Sequence, residues 1–298
     1  MLLSAVDRFL HKTQQQRAVT IRFFARRGLS KVPYLPIRVR LEVSPKETTT
    51  FWWSYVPSSL HSERGLLDYW GDDIGELRFL WRILEPDSCF IDVGAYHGIY
   101  TLVASRRIQK RGHIVAFEPS VREQRRLRLH LRINNISSVV LESYAVGAQN
   151  GESYLFTVLS GFTSMNSLRR PATQDPIRPV AVKTISLDEY LEAKRMERVD
   201  VLKLDTEGGE LEVLRGARRK LEELRPMIIC EVLDWVTGPW GYAARDIVSH
   251  LQSYDYRWFE FQPDGTLSLH EPRDTYPEVR NYLAVPLEKV NQVHERIQ

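Results

Sequence analysis

Cysteine is scarce: the 298 residues include only Cys89 and Cys230. Each lies in an apolar run, Cys89-Phe90-Ile91 and Ile228-Ile229-Cys230, where cysteine serves as a small buried hydrophobe. Two such residues cannot build a disulfide framework or a four-cysteine metal site, and free thiols in a reducing compartment are expected. Long hydrophobic runs are missing as well. Nowhere do about 18 apolar residues follow one another, as a membrane-spanning helix needs. The short run at the start is broken by Asp7 and Arg8, which argues against a secretory signal. A cytoplasmic protein with no transmembrane segment is the expectation.

Charge of one sign is not in excess. Lys plus Arg number 41 and Asp plus Glu 38, leaving +3, far from the dense one-faced field of most nucleic-acid binders. No nucleic-acid partner is expected. Locally, residues 1–29 carry Arg8, Lys12, Arg17, Arg22, Arg26 and Arg27 against Asp7 alone, which reads as a basic surface helix or loose arm, with an organelle targeting segment as the alternative. The Arg-rich stretch 122–132 reads as the solvated face of a helix. There is no internal repeat, which excludes a solenoid.

What is present is alternation. Residues 1–60 read as an N-terminal basic extension, with one strand-like alternating segment, Ile37–Val43. From Ser88 onward short apolar runs (89–93, 114–117, 139–141, 199–204 and 227–233) suit strands buried on both faces. Helical stripes lie between them: Ile99, Leu102 and Val103, then Leu211, Leu214, Ala217, Leu221 and Leu224. Ser120 with Glu123 and Ser186 with Glu189 have the spacing of capping boxes. Right-handed crossovers then give an α/β fold with a mostly parallel, doubly wound sheet. The segments 256–261 and 266–269, joined by Pro263-Asp264-Gly265, read as a C-terminal antiparallel hairpin, and 282–285 as an edge strand.

Three constellations carry chemistry. Asp92-Val93-Gly94-Ala95-Tyr96-His97-Gly98 is a strand entering a glycine turn ahead of a helix, where a ligand can approach the backbone closely. It is not the dinucleotide fingerprint, because Tyr96 stands where that pattern needs its second glycine. Glu118 follows the second strand 20 positions after Gly98, where a carboxylate can accept hydrogen bonds from both ribose hydroxyls. Asp205-Thr206-Glu207-Gly208-Gly209-Glu210 crowds three acids at a strand end. The helix dipole accounts for Glu210, but Asp205 and Glu207 require an offset from a cationic ligand, a metal or a proton.

These motifs resemble the FkbM-type methyltransferases: Asp92-Val93-Gly94-Ala95-x-x-Gly98, Phe117-Glu118-Pro119, Thr184–Leu191, and Asp200–Asp205-x-Glu207-Gly208-x-Glu210, in order, over roughly residues 85–235 of a domain spanning 61–298. The resemblance implies the class I methyltransferase Rossmann-like fold, S-adenosylmethionine as donor, and O-methylation of a hydroxyl on a sugar or polyketide-like small molecule. It places Asp92, Gly94, Ala95, Tyr96, Gly98 and Thr101 around the methionine part of the donor, Glu118 on its ribose and Ala145 beside its adenine. Asp205 and Glu207 are the candidate bases, with a Mg²⁺ ion between them as the less favoured alternative. His97 reads as a backbone or cofactor contact rather than a base. Tyr96 and His97 stand where the family often has Asn and an apolar residue, and Gly209 where Ala is commoner. Acceptor contacts are expected from aromatic flanks: Phe51-Trp52-Trp53, Tyr69-Trp70 and above all Trp235 and Trp240. A non-catalytic nucleoside-binding scaffold and an RNA-directed methyltransferase are the rival readings, and oligomeric state is not legible.

Overall fold

The computed structural model describes residues 36–44, 46–54, 74–108, 111–159 and 163–297. The basic residues of 1–29 and the pair Tyr69-Trp70 lie outside the described residues. The first element is a hairpin, β1 (Pro36–Ser44) with β2 (Glu47–Ser54), antiparallel with Val39 opposite Phe51. Alternation puts Val39, Leu41, Val43, Phe51 and Trp53 on one buried face. That face joins the core of the main sheet, within the stretch read from sequence as an extension. The helix α1 (Ile74–Ile83) packs on β1 through an almost wholly buried surface.

The main sheet takes its strands from β3 (Cys89–Val93), β4 (His113–Phe117), β5 (Val139–Glu142), β9 (Val201–Leu204), β10 (Met227–Glu231), β11 (Tyr256–Phe261), β12 (Leu267–Leu269) and β13 (Asn281–Pro286). Their order is β12-β11-β13-β10-β9-β3-β4-β5. The five strands from β10 to β5 are parallel; β13 enters antiparallel between β10 and β11. The segment read as an edge strand is therefore interior, and β12 forms the edge. The reason is visible in the sequence of β13, whose residues Tyr282–Pro286 are all buried, as a strand with neighbours on both sides requires.

Helices cover both faces, with one core under α1, α2 (Ile99–Arg107) and the β1–β2 hairpin, and another under α4 (Leu187–Ala193), α5 (Glu210–Arg215), α6 (Arg218–Leu224) and α7 (Ala244–Gln252). The stripe from Leu211 to Leu224 is two helices rather than one. The break falls at Gly216, where an added Cβ would stand 2.1 Å from the Gly147 carbonyl oxygen, and Asp188 caps α6 through the backbone N–H groups of Arg219 and Lys220. Ser186 caps α4 as its spacing predicts, accepting from Glu189 N at 3.3 Å. Ser120 makes no side-chain cap on α3 (Val121–Ile133), and Glu123, the other half of the expected box, turns to His97 and Arg122 in charge-assisted bonds. A smaller sheet, β6 (Ala145–Val146), β8 (Ile177–Ile185) and β7 (Gly151–Val158), follows β5. Cys89 and Cys230 are free and buried.

Candidate active site

β3 is the switch point of the sheet: the chain runs outward from it to β4 and β5 on one side, while β9 lies on the other. The crevice beyond the carboxyl ends of β3 and β9 is where open α/β sheets bind ligands. A cleft opens there, lined by Gly94, Tyr96, Glu118, Ala145, Asp205, Glu207 and Trp240, with Tyr144, Leu155 and Leu168 adding apolar surface. The centre of a water-sized sphere can move through about 140 Å³ of it, far more than the ~10–15 Å³ one water needs.

Gly94 lets the two strand ends meet. With φ at +80°, its Cα lies so near β9 that an added Cβ would stand 1.8 Å from the Asp205 carbonyl oxygen. Gly98, also left-handed, opens α2, and a Cβ there would meet Leu127. Behind this turn, Asp92 is buried and accepts a 2.5 Å hydrogen bond from Thr101 Oγ1, while Ala95 N donates to the Phe117 carbonyl at 2.9 Å. Asp92, Ala95, Gly98 and Thr101 thus shape the turn and do not line the cleft. Burial pushes the Asp92 carboxyl up to about 6 against the Thr101 hydrogen bond.

Glu118 is fixed from both sides: Oε2 accepts from Tyr96 N at 2.9 Å and Oε1 from Ser120 N at 2.8 Å. It lines the cleft wall with Ala145. Burial, with the charges of Glu123 and Asp92, pushes its carboxyl up to about 8 despite those two bonds. Tyr96 holds a left-handed φ of 48°, unusual outside glycine. Its ring stacks on His97 with centroids 3.7 Å apart, and its hydroxyl shares a 2.8 Å hydrogen bond with Thr163. His97 is outside the cleft, bonded through Nε2 to Glu123 at 2.8 Å. Both departures from the family pattern in this loop therefore have packing partners.

At the end of β9, Asp205 is paired with a residue that the sequence reading passed over. Lys203, only 1% exposed, donates from Nζ to Asp205 Oδ2 at 3.0 Å, Asn281 Oδ1 at 2.9 Å and the Leu204 carbonyl at 3.2 Å. Burial opposes its charge, but Asp205, Glu231 and Asp92 hold the ammonium above its usual range. A lysine inside an otherwise apolar strand was the signal available in the sequence. Glu210 folds back to accept from Thr206 N and Oγ1, closing the turn. Glu207 sits at a left-handed φ of 56°, half-buried. Burial and the charges of Asp205 and Glu210 raise its carboxyl well above the ordinary carboxylate range. Among the described residues no group of three or more His, Cys, Asp or Glu side chains is set to hold a metal ion, and Lys203 supplies a countercharge to Asp205.

Trp240 closes the cleft, its Nε1 donating to the Glu207 carbonyl at 3.3 Å. Gly209 makes room for it, since a Cβ there would lie 2.9 Å from the indole ring. Trp235 is 43% exposed and faces a separate shallow depression beside Trp240. Phe51 and Trp53 are core residues and Trp52 points outward from the hairpin, so none of the three lines the cleft. Ser164, Asn166 and Ser167, which do line it, come from the segment between β7 and β8, where no sequence pattern marks them.

The methyltransferase FkbM domain family matches residues 92–258, from Asp92 of the glycine turn to Trp258 of β11. The chain belongs to this family. Among relatives of the FkbM-domain chain, Methyltransferase 1 of Beauveria bassiana (strain ARSEF 2860) is 26% identical over 166 residues, 50% of this chain and 66% of that one. The hexuronic acid methyltransferase AglP of Haloferax volcanii is 26% identical over 153 residues, 51% of this chain and 59% of that one. The match thus spans less than two thirds of either relative. A solved methyltransferase FkbM from Methylobacillus flagellatus KT is similar with a TM-score of 0.43 and 16% identity, covering 68% of this chain and 44% of that one. No helix among the described residues is long and apolar enough to cross a membrane.

Proposed function

We propose that the chain transfers a methyl group from S-adenosylmethionine to a hydroxyl oxygen of a sugar or similar small molecule. The observation that carries this is one cleft at the switch point holding both a backbone-anchored carboxylate, Glu118, and a pair of strand-end carboxylates, Asp205 and Glu207. The residues present fit the donor. Glu118, with both oxygens already oriented, suits a ribose diol; Phe117, Pro119, Tyr144, Ala145 and Leu155 give an apolar wall for a purine; and the negative wall suits a sulfonium and an ammonium. The donor, when bound, supplies an electrophilic methyl carbon.

The chain's own contribution is positioning and proton handling. An alcohol attacks poorly while protonated, and a carboxylate within hydrogen-bond reach takes the proton as attack proceeds. Asp205, held by Lys203 and 37% exposed on its side chain, is oriented and open to the cleft. Glu207, whose raised carboxyl is a stronger base once ionised, is its neighbour. Trp240 shields this end from water. The relative named for a hexuronic acid supports a sugar acceptor. The test is incubation of the protein with methyl-labelled S-adenosylmethionine and a panel of glycosides. Label in the glycoside ether supports the reading; a folded protein that binds no donor overturns it.

A further inference from the structure

Beside the cleft, and sharing Glu207 and Trp240 with it, lies the depression floored by Met165, Trp235 and Pro239, with Arg169 at its rim. Arg169 and Trp240 are tethered to one point. Ser167 Oγ donates to the Glu207 carbonyl at 2.8 Å, Arg169 N donates to Ser167 Oγ at 3.4 Å, and Trp240 Nε1 donates to the same Glu207 carbonyl at 3.3 Å. The guanidinium carbon lies 5.1 Å from the centroid of the Trp240 ring. Arg169 is exposed, and among the described residues it has no carboxylate partner.

The adjoining cleft wall carries Glu118, Asp205 and Glu207, so an anionic molecule can seat there only where a cation offsets their field. Arg169, in the adjoining depression, is an exposed cation stacked on Trp240. The geometry points to Arg169, stacked on Trp240, as an acceptor subsite for a sugar bearing a carboxylate, the carboxylate held by the guanidinium. This rests on the reading of the cleft as a methyl-transfer site. A guanidinium fork matches a carboxylate in charge and in bidentate geometry. A neutral sugar leaves Arg169 without a partner, and a phosphate brings two charges to a single cation facing three acids.

The test is equilibrium binding to the full chain with S-adenosylhomocysteine present, comparing 4-nitrophenyl glucuronide, the matching glucoside and the glucoside 6-phosphate, on wild type and Arg169→Gln. The expected result is glucuronide binding about tenfold tighter than either other ligand, with the advantage lost in Arg169→Gln. Equal or absent binding of the three, a phosphate preference, or a glucuronide preference that survives in Arg169→Gln overturns the subsite. S-adenosylhomocysteine binding, titrated on the same samples, separates the two claims: its absence overturns the methyltransferase reading, whereas donor binding without sugar discrimination overturns only the subsite.

Discussion

Replacing Lys203 by Met removes the single positive charge buried among Asp92, Asp205, Glu207 and Glu231 while nearly keeping the side-chain volume. Three hydrogen bonds from Nζ are lost, and Asn281 Oδ1 loses its donor. Breaking a buried ion pair by deleting one partner costs roughly 3–5 kcal/mol. The Asp205 side chain is 37% exposed, so water screens its half of the pair and the lower end, about 2–3 kcal/mol, is the working figure. For a chain of this size that is a fall in Tm of roughly 3–5 °C. The penalty has a pH signature. Asp92 already sits at about 6, and Glu207 and Glu231 are raised by burial and mutual repulsion. Without Lys203 these folded-state values rise further above their unfolded ones. The folded state then holds more protons than the unfolded one, so stability falls as pH rises from the unfolded carboxylate pKa through the folded values. Thermal unfolding of wild type and Lys203→Met at about pH 5 and pH 8 reads this directly. The difference between the two proteins should be larger at the higher pH; an equal or smaller difference there would refute Lys203 as the countercharge of the cluster.

Gly94→Ala places a methyl 1.8 Å from the Asp205 carbonyl oxygen at a left-handed φ of +80°, and should cost roughly 3 kcal/mol or more in chemical denaturation. Asp205→Asn keeps an oxygen for Lys203, so the fold and donor binding should survive while turnover falls about 10²–10⁴-fold; wild-type turnover would remove Asp205 from proton transfer. Glu118 sits at about 8 in the free protein, and ribose hydroxyls donate to its ionised form, so donor binding below that pH expels a proton. Affinity for S-adenosylmethionine, followed by calorimetry, should climb from about pH 6 toward pH 8 and level off above it; a flat profile contradicts a direct Glu118–ribose contact.

The parallel half of the sheet was legible because strands buried on both faces must be continuous apolar runs, and β3, β4, β9 and β10 are. The glycine turn was legible because Gly94 solves a steric problem that no other residue solves. The placement of β13 was not, since an apolar run of that length fits an edge or an interior position equally until its neighbours are known. The break at Gly216 was hidden because the apolar stripe continues through it, and its cause is a carbonyl from a distant loop. Glu118, Asp205, Glu207 and Trp240, picked out by position and residue type, line one cleft. Lys203 was visible as a charge in an apolar strand, yet its partner Asn281 lies 78 residues away, a separation that no local pattern spans. Arg169 was beyond reach for the same reason: its significance comes from Trp240, brought beside it only by the fold.

The most direct measurement is calorimetric titration of the full chain with S-adenosylmethionine, repeated on Glu118→Ala shown by circular dichroism to be folded. Single-site binding by the wild type, weakened at least about tenfold in the variant, is the predicted result. A folded wild type that takes up no donor, or a variant that binds as tightly as wild type, would contradict a donor site at the β3–β9 switch point.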